Sequence, residues 1–130
     1  MTQLHVVAAV LPGRLPGEVW AFRRAPERSH GGLWEFPGGK VEAGEEEDTA
    51  LRREIFEELN LQVRVVEHLW RGDVGRLHMS FMSCELLAGD CELRDHDTRM
   101  SLALDRLDIL AWAPGDVPFV AWLVRRGRVF

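Results

Sequence analysis

One stretch constrains this chain more than any other: Pro37-Gly38-Gly39 stands between Trp34-Glu35-Phe36 and the acidic run Glu45-Glu46-Glu47-Asp48. Just beyond it, Leu51, Ile55 and Leu59 recur every four residues, the spacing of one face of an α-helix. The pattern predicts a helix from about Glu46 to Leu59, with acid in its first turn to suit the helix dipole. Asn60, a residue that tolerates the left-handed conformation, should close it. At about 100° per residue, Glu54, Glu57 and Glu58 leave this helix from one face, beside the apolar stripe. Carboxylates at the edge of a core are unfavourable unless they find partners, or else they titrate at raised pH. A hard dication removes that penalty, and carboxylate oxygens suit Mg²⁺ or Mn²⁺. The plainer alternative is a solvated acidic face with local ion pairs. Arg53 precedes Glu57 by four residues, the weaker order for such a pair.

Around this segment the chain reads as strands. Leu4 to Leu11 is nearly all apolar, Pro12 to Gly17 is turn chemistry, and Glu18 to Arg23 resumes a strand, which together suggest a hairpin. Ala25 to Gly32 should be a loop, and Trp34 to Phe36 a short strand leading into the glycines, where the backbone is expected to bend tightly. Gln62 to Trp70 and Leu77 to Leu87 read as two further strands, and Leu93 to Thr98 as a loop. A second helix over about Val117 to Arg126 carries apolar Val120, Leu123 and Val124. The expected plan is a mixed sheet packed by helices.

Length and charge narrow the function. A chain of 130 residues, 46% hydrophobic and 28% charged, buries one core, so residues 1–130 are expected to form one domain. A formal charge of −5 argues against binding duplex nucleic acid, where Lys and Arg must neutralise phosphates. Cys84 and Cys91 make neither a disulfide framework nor a ligand set, and Val6 to Leu11 is too short to span a bilayer. The cytoplasm, with no membrane partner, is the expected setting.

From Gly39 the order runs Glu45, Arg53-Glu54, Ile55, Glu57-Glu58 and Leu61, with five residues between Gly39 and Glu45 and seven between Glu45 and Arg53. This resembles the signature of the Nudix hydrolase superfamily, in which Asn60 alone departs, standing where the family has glycine. The lead-in Glu35-Phe36-Pro37-Gly38-Gly39-Lys40 and the strand ending Arg23-Arg24 resemble the MutT-like branch, the 8-oxo-dGTP diphosphatase and CTP pyrophosphohydrolase type. The resemblance implies an α/β Nudix fold, an α/β/α sandwich around a mixed sheet.

It also implies roles. Glu54, Glu57, Glu58 and the carbonyl of Gly38 would hold Mg²⁺ or Mn²⁺, with Glu45 and Arg53 paired to brace the loop. The general base would be Glu54, Glu57 or a later loop acid, for which Asp95 is the candidate. Arg24 and Lys40 would meet phosphate or sugar, while Trp34, Phe36 and Phe119 would line the base pocket. Asp116 would read the base or, equally, cap the second helix. Trp70, Trp112 and Trp122 are assigned to the core by default, and the five histidines to structural or surface positions. The implied activity is hydrolysis of a (d)NTP, including an oxidised one such as 8-oxo-dGTP, to the monophosphate and pyrophosphate. A monomer or weak dimer acting on a small nucleotide is expected. Alternatives are an ADP-ribose or dinucleoside polyphosphate hydrolase, and a nucleotide-sensing module without catalysis.

Overall fold

The computed structural model describes residues 3–130. Seven strands and two α-helices follow in the order β1 (Leu4–Val10), β2 (Glu18–Arg24), β3 (Trp34–Glu35), β4 (Gly38–Lys40), α1 (Glu47–Leu59), β5 (Gln62–Val74), β6 (Leu77–Ala88), β7 (His96–Ala103) and α2 (Val117–Arg126). Short 3₁₀ turns at Leu104–Ile109 and Pro114–Asp116 lead into α2.

The strands divide into a four-stranded sheet, β4-β1-β6-β5, and a three-stranded one, β3-β2-β7. Among the named strands β1 and β6 pair in parallel and the other ladders are antiparallel, so the larger sheet is mixed; an isolated parallel bridge joins Trp34 to Trp112. The continuous apolar run of β1 has a direct cause. Val7, Ala9 and Leu11 face the cluster under α1, while Ala8 and Val10 face the cluster under α2. Both faces of the strand are buried, which is where near-continuous apolar runs are found.

The expected first hairpin is corrected. β1 and β2 lie in different sheets, and the chain pairs between them only at their base, through the Pro12–Val19 bridge, with the Trp20 N–H donating to Leu11 O and the Gly13 N–H to Glu18 O. Both edges of β1 are already taken, by β4 and β6, so β2 must find β3 and β7 instead. The expected loop over Leu93 to Thr98 is shortened as well, because β7 starts at His96 and pairs along β2. The strands after α1 extend further than expected and meet at a tight turn where Gly75 has φ 57°.

In α1, Leu51, Ile55 and Leu59 are wholly buried, and Asn60 ends the helix at φ 59°, ψ 30°. α2 ends likewise at Gly127, with Arg125 and Arg126 in the last turn, where cations suit the dipole. Trp112 is buried in the core and Trp70 and Trp122 pack against it. Cys84 and Cys91 are free thiols. No helix among the described residues is long and apolar enough to cross a membrane.

Candidate active site

The site forms where α1 crosses the strand β4 and the end of the smaller sheet. Gly38 and Gly39 belong to β4, paired with Ala8 and Val7 of β1. Neither has a positive φ, so the expected tight bend is not why glycine is needed here. The need is close approach. A Cβ on Gly38 would collide with the carbonyl of Val7, and one on Gly39 would overlap the carboxylate of Glu54. Two missing side chains thus let β4 lie against β1 on one side and let Glu54 lie against β4 on the other.

Arg53 organises the acids above this floor. Its Nε and Nη2 donate to the two oxygens of Glu45 at 2.8 and 2.9 Å, a bidentate pair, and Nη2 also donates to Lys40 O at 3.0 Å. The fork geometry makes such pairs strong. Its hydrogen bonds to Arg53, and the Glu42 N–H, hold the Glu45 carboxyl down at about 2. The remaining nitrogen, Nη1, reaches Glu54 Oε1 at 2.8 Å and Glu57 Oε2 at 3.4 Å. The guanidinium therefore sits between carboxylates that would otherwise repel.

The three glutamates expected to converge are graded instead. Glu57 is exposed, Glu54 is largely covered, and Glu58 is buried at 8% exposure. Arg53 engages Glu54 and Glu57, whereas Glu58 groups with Glu35 and His96 while the charge of Glu54 still reaches it. Burial raises the Glu54 pKa against the lowering effect of Arg53. Burial pushes Glu58 to about 9, helped by the charges of Glu35, Glu54 and Asp95 and opposed by Arg24. Glu58 Oε2 has no hydrogen-bond partner. A buried carboxylate oxygen without a partner, beside two further acids, is the donor chemistry that a divalent cation fits.

Two residues that sequence reasoning passed over complete the floor. Glu35 accepts a hydrogen bond from His96 Nε2 at 2.8 Å, and Arg24 Nη1 lies 3.5 Å from the same oxygen. The strand register places them together: Phe22 pairs with Glu35 and Arg24 with His96. The signal for His96 lay in its place next to Asp95, but with that stretch read as a loop nothing pointed the imidazole inward.

Asp95 is held by Arg28 at 2.8 Å, and its charge reaches Glu58. Arg24 also donates to Ser29 O at 2.9 Å. Lys40 is exposed at the rim. Asp116 makes no side-chain cap on α2; its Oδ2 accepts from the Phe36 N–H at 2.9 Å. At 5% exposure, its carboxyl is pushed well above the usual range by burial, opposed by that hydrogen bond. The three aromatics expected in a base pocket lie in the core. Phe119 has no exposed surface and stacks on Phe81 at 4.0 Å, Phe36 stacks on Trp112 at 4.9 Å, and Trp34 is buried.

A small α/β enzyme domain with an acid-rich helix packed on a glycine strand is the class that fold and site define. The chain belongs to the Nudix family: the NUDIX domain model matches residues 1–123. It is a MutT-like diphosphohydrolase by its relatives. It is 37% identical over 107 residues to a provisionally named 8-oxo-dGTP diphosphatase 2 of Mycobacterium tuberculosis, covering 78% of this chain and 74% of that one. It is 30% identical over 124 residues to the CTP pyrophosphohydrolase of Escherichia coli, covering 92% and 90%. A MutT structure from work on Aliivibrio salmonicida and Vibrio cholerae superposes with a TM-score of 0.75 at 28% identity, over 96% of this chain and 99% of that one.

Proposed function

We propose that this protein is a Mg²⁺- or Mn²⁺-dependent pyrophosphohydrolase that converts a nucleoside triphosphate, including an oxidised dNTP such as 8-oxo-dGTP, to the monophosphate and pyrophosphate. The observation that carries this reading is Glu58 Oε2, buried without a partner beside Glu54 and Glu35. An enzyme retains so unfavourable a group where a cation is to be bound. The family and the named activities of the relatives support the substrate class.

Glu54, Glu57, Glu58 and the Gly38 carbonyl would hold the cation. Once bound it supplies Lewis-acid neutralisation of phosphate oxygens and lowers the pKa of water. The remaining work falls to the chain. Arg53 orients Glu54 and Glu57 through its Nη1 and fixes Lys40 through its carbonyl. Glu54, Glu57 or Asp95 takes the proton of the attacking water. Arg24 and Lys40 bind phosphate oxygens, an interaction that charge-assisted hydrogen bonds make strong. Asp116, anchored by the Phe36 N–H, meets the base, as an acceptor when ionised and as a donor when protonated.

The test is pure protein incubated with Mg²⁺ and a panel of normal and oxidised nucleoside triphosphates. Monophosphate and pyrophosphate from at least one of them are expected. No pyrophosphate from any member defeats the reading, and faster release of AMP from ADP-ribose moves the substrate away from triphosphates.

A further inference from the structure

Beneath the outer carboxylates lies a second group of donors. Glu35 of β3, Glu58 of α1 and His96 of β7 come from three separate elements, yet one donor atom of each lies within 4.8 Å of the others. Among the described residues no other three His, Cys, Asp or Glu side chains meet this closely. His96 is 4% exposed and Glu58 8%. Each carries an orphaned polar atom, His96 Nδ1 and Glu58 Oε2. Buried polar atoms without partners are rare in folded proteins, and an orphaned carboxylate oxygen in this small group, Glu58 Oε2, points to something the group is built to receive.

A protein-only account of these contacts stops short. If His96 Nε2–H donates to Glu35, the Nδ1 lone pair and Glu58 Oε2 both stay bare. The spacing suits a cation as well as a proton: two donors each about 2.1 Å from a metal, at right angles, stand about 3.0 Å apart, and His96 Nε2 and Glu35 Oε2 are separated by 2.8 Å. Arg24 is the nearby positive group, at 3.5 Å from Glu35 Oε2, and its charge also reaches Glu58, but one guanidinium faces two carboxylates while Asp95 adds a further negative charge from the rim. The Phe22 ring, its centroid 5.4 Å from that of His96, walls the group from the core side.

We propose that Glu35, Glu58 and His96 form an inner cation subsite that shares Glu58 with the outer carboxylate face and takes Mn²⁺, Co²⁺ or Zn²⁺ in preference to Mg²⁺. The imidazole makes the selection, because a nitrogen donor suits these borderline ions, whereas Mg²⁺ prefers oxygens and keeps its waters. The inference rests on the reading of Glu58 as a cation ligand, though not on hydrolysis.

Pulsed electron paramagnetic resonance of the Mn²⁺-loaded protein tests it directly. Spin-echo modulation from a coordinated ¹⁴N is expected, replaced by the ¹⁵N pattern after labelling with ¹⁵N-histidine and absent in His96→Gln. In calorimetric titrations Mn²⁺ should bind at least about tenfold more tightly than Mg²⁺, and His96→Gln should shrink that gap to about threefold or less. Should His96→Gln fail to fold, Gln substitutions at His5, His30, His68 and His78, one at a time, assign the signal by leaving it intact. Glu57→Gln separates the two readings, since it should lose hydrolysis and keep the nitrogen modulation. Modulation in a wild-type protein that hydrolyses no nucleotide leaves the subsite standing and removes the enzymatic reading. Absence of Mn²⁺ uptake, Mn²⁺ bound without nitrogen coupling, or coupling that survives in His96→Gln overturns the subsite.

Discussion

The two ends of α1 each turn a glutamate toward the sheets, and the two are treated in opposite ways. At the first turn, Glu47 receives the Ser80 hydroxyl at 2.5 Å, His5 Nε2 at 2.6 Å and Arg71 Nη2 at 2.6 Å, so that one carboxylate ties the helix to β1, β5 and β6. Burial pushes its pKa up, but the hydrogen bonds from Arg71, Ser80 and His5 outweigh it and bring the group to about 2. At the last turn, Glu58 has an oxygen without a partner, neighbours of its own sign, and a pKa pushed up to about 9. The helix dipole widens the contrast, favouring an anion at the first turn and opposing one at the last. A satisfied buried carboxylate fastens the fold, while an unsatisfied one marks the place where the fold waits for a ligand.

The sharpest way to break this contrast is to neutralise each end. Glu58→Gln should lower kcat by about three orders of magnitude with the fold intact, as loss of a cation ligand does; a steady-state assay giving near-parental turnover would remove Glu58 from the catalytic set. Glu47→Gln should do the reverse. It should cost about 2–3 kcal/mol in urea unfolding, because charge-assisted bonds are lost and their partners stranded, and leave kcat within about twofold.

Stability against pH sharpens the comparison further. The Glu58 pKa is raised in the folded state, so its contribution is complete below its ordinary value of 4.5 and is lost as pH rises toward about 9. In metal-free buffer Glu58→Gln should therefore gain on the wild type by about 1–2 kcal/mol at pH 8 and match it near pH 4.5; an equal or lower melting temperature at pH 8 would contradict the burial account. The smallest effect belongs to Glu47, whose depressed pKa supplies stability above 4.5 that is lost as pH falls toward about 2. The deficit of Glu47→Gln should narrow by about 1 kcal/mol between pH 5 and pH 3, allowing for solvent screening.

Both glutamates lie on a helix that is legible in the sequence, yet their difference is not. The periodicity of Leu51, Ile55 and Leu59 placed the helix within a residue of its start, and Asn60 marked its end. What distinguishes Glu47 from Glu58 is the identity of residues facing them from β1, β3, β5, β6 and β7, far away in the chain. The same limit explains the misread hairpin. Two apolar runs joined by a Pro-Gly turn look like partners, and only competition for the edges of β1 sends β2 to another sheet.

By itself the sequence determined what neighbouring residues can determine: the amphipathic turns of α1 and α2, the glycine pair, the spacing of Glu45, Arg53, Glu54, Glu57 and Glu58, and the family these define. Tertiary structure alone decided that Gly38 and Gly39 serve close packing rather than a bend, that Arg53 stands among Glu45, Glu54 and Glu57, and that Glu58 also meets Glu35 and His96. The reason is physical range. Helical periodicity acts over a turn or two of chain, whereas burial and charge pairing depend on which distant strands the register sets side by side.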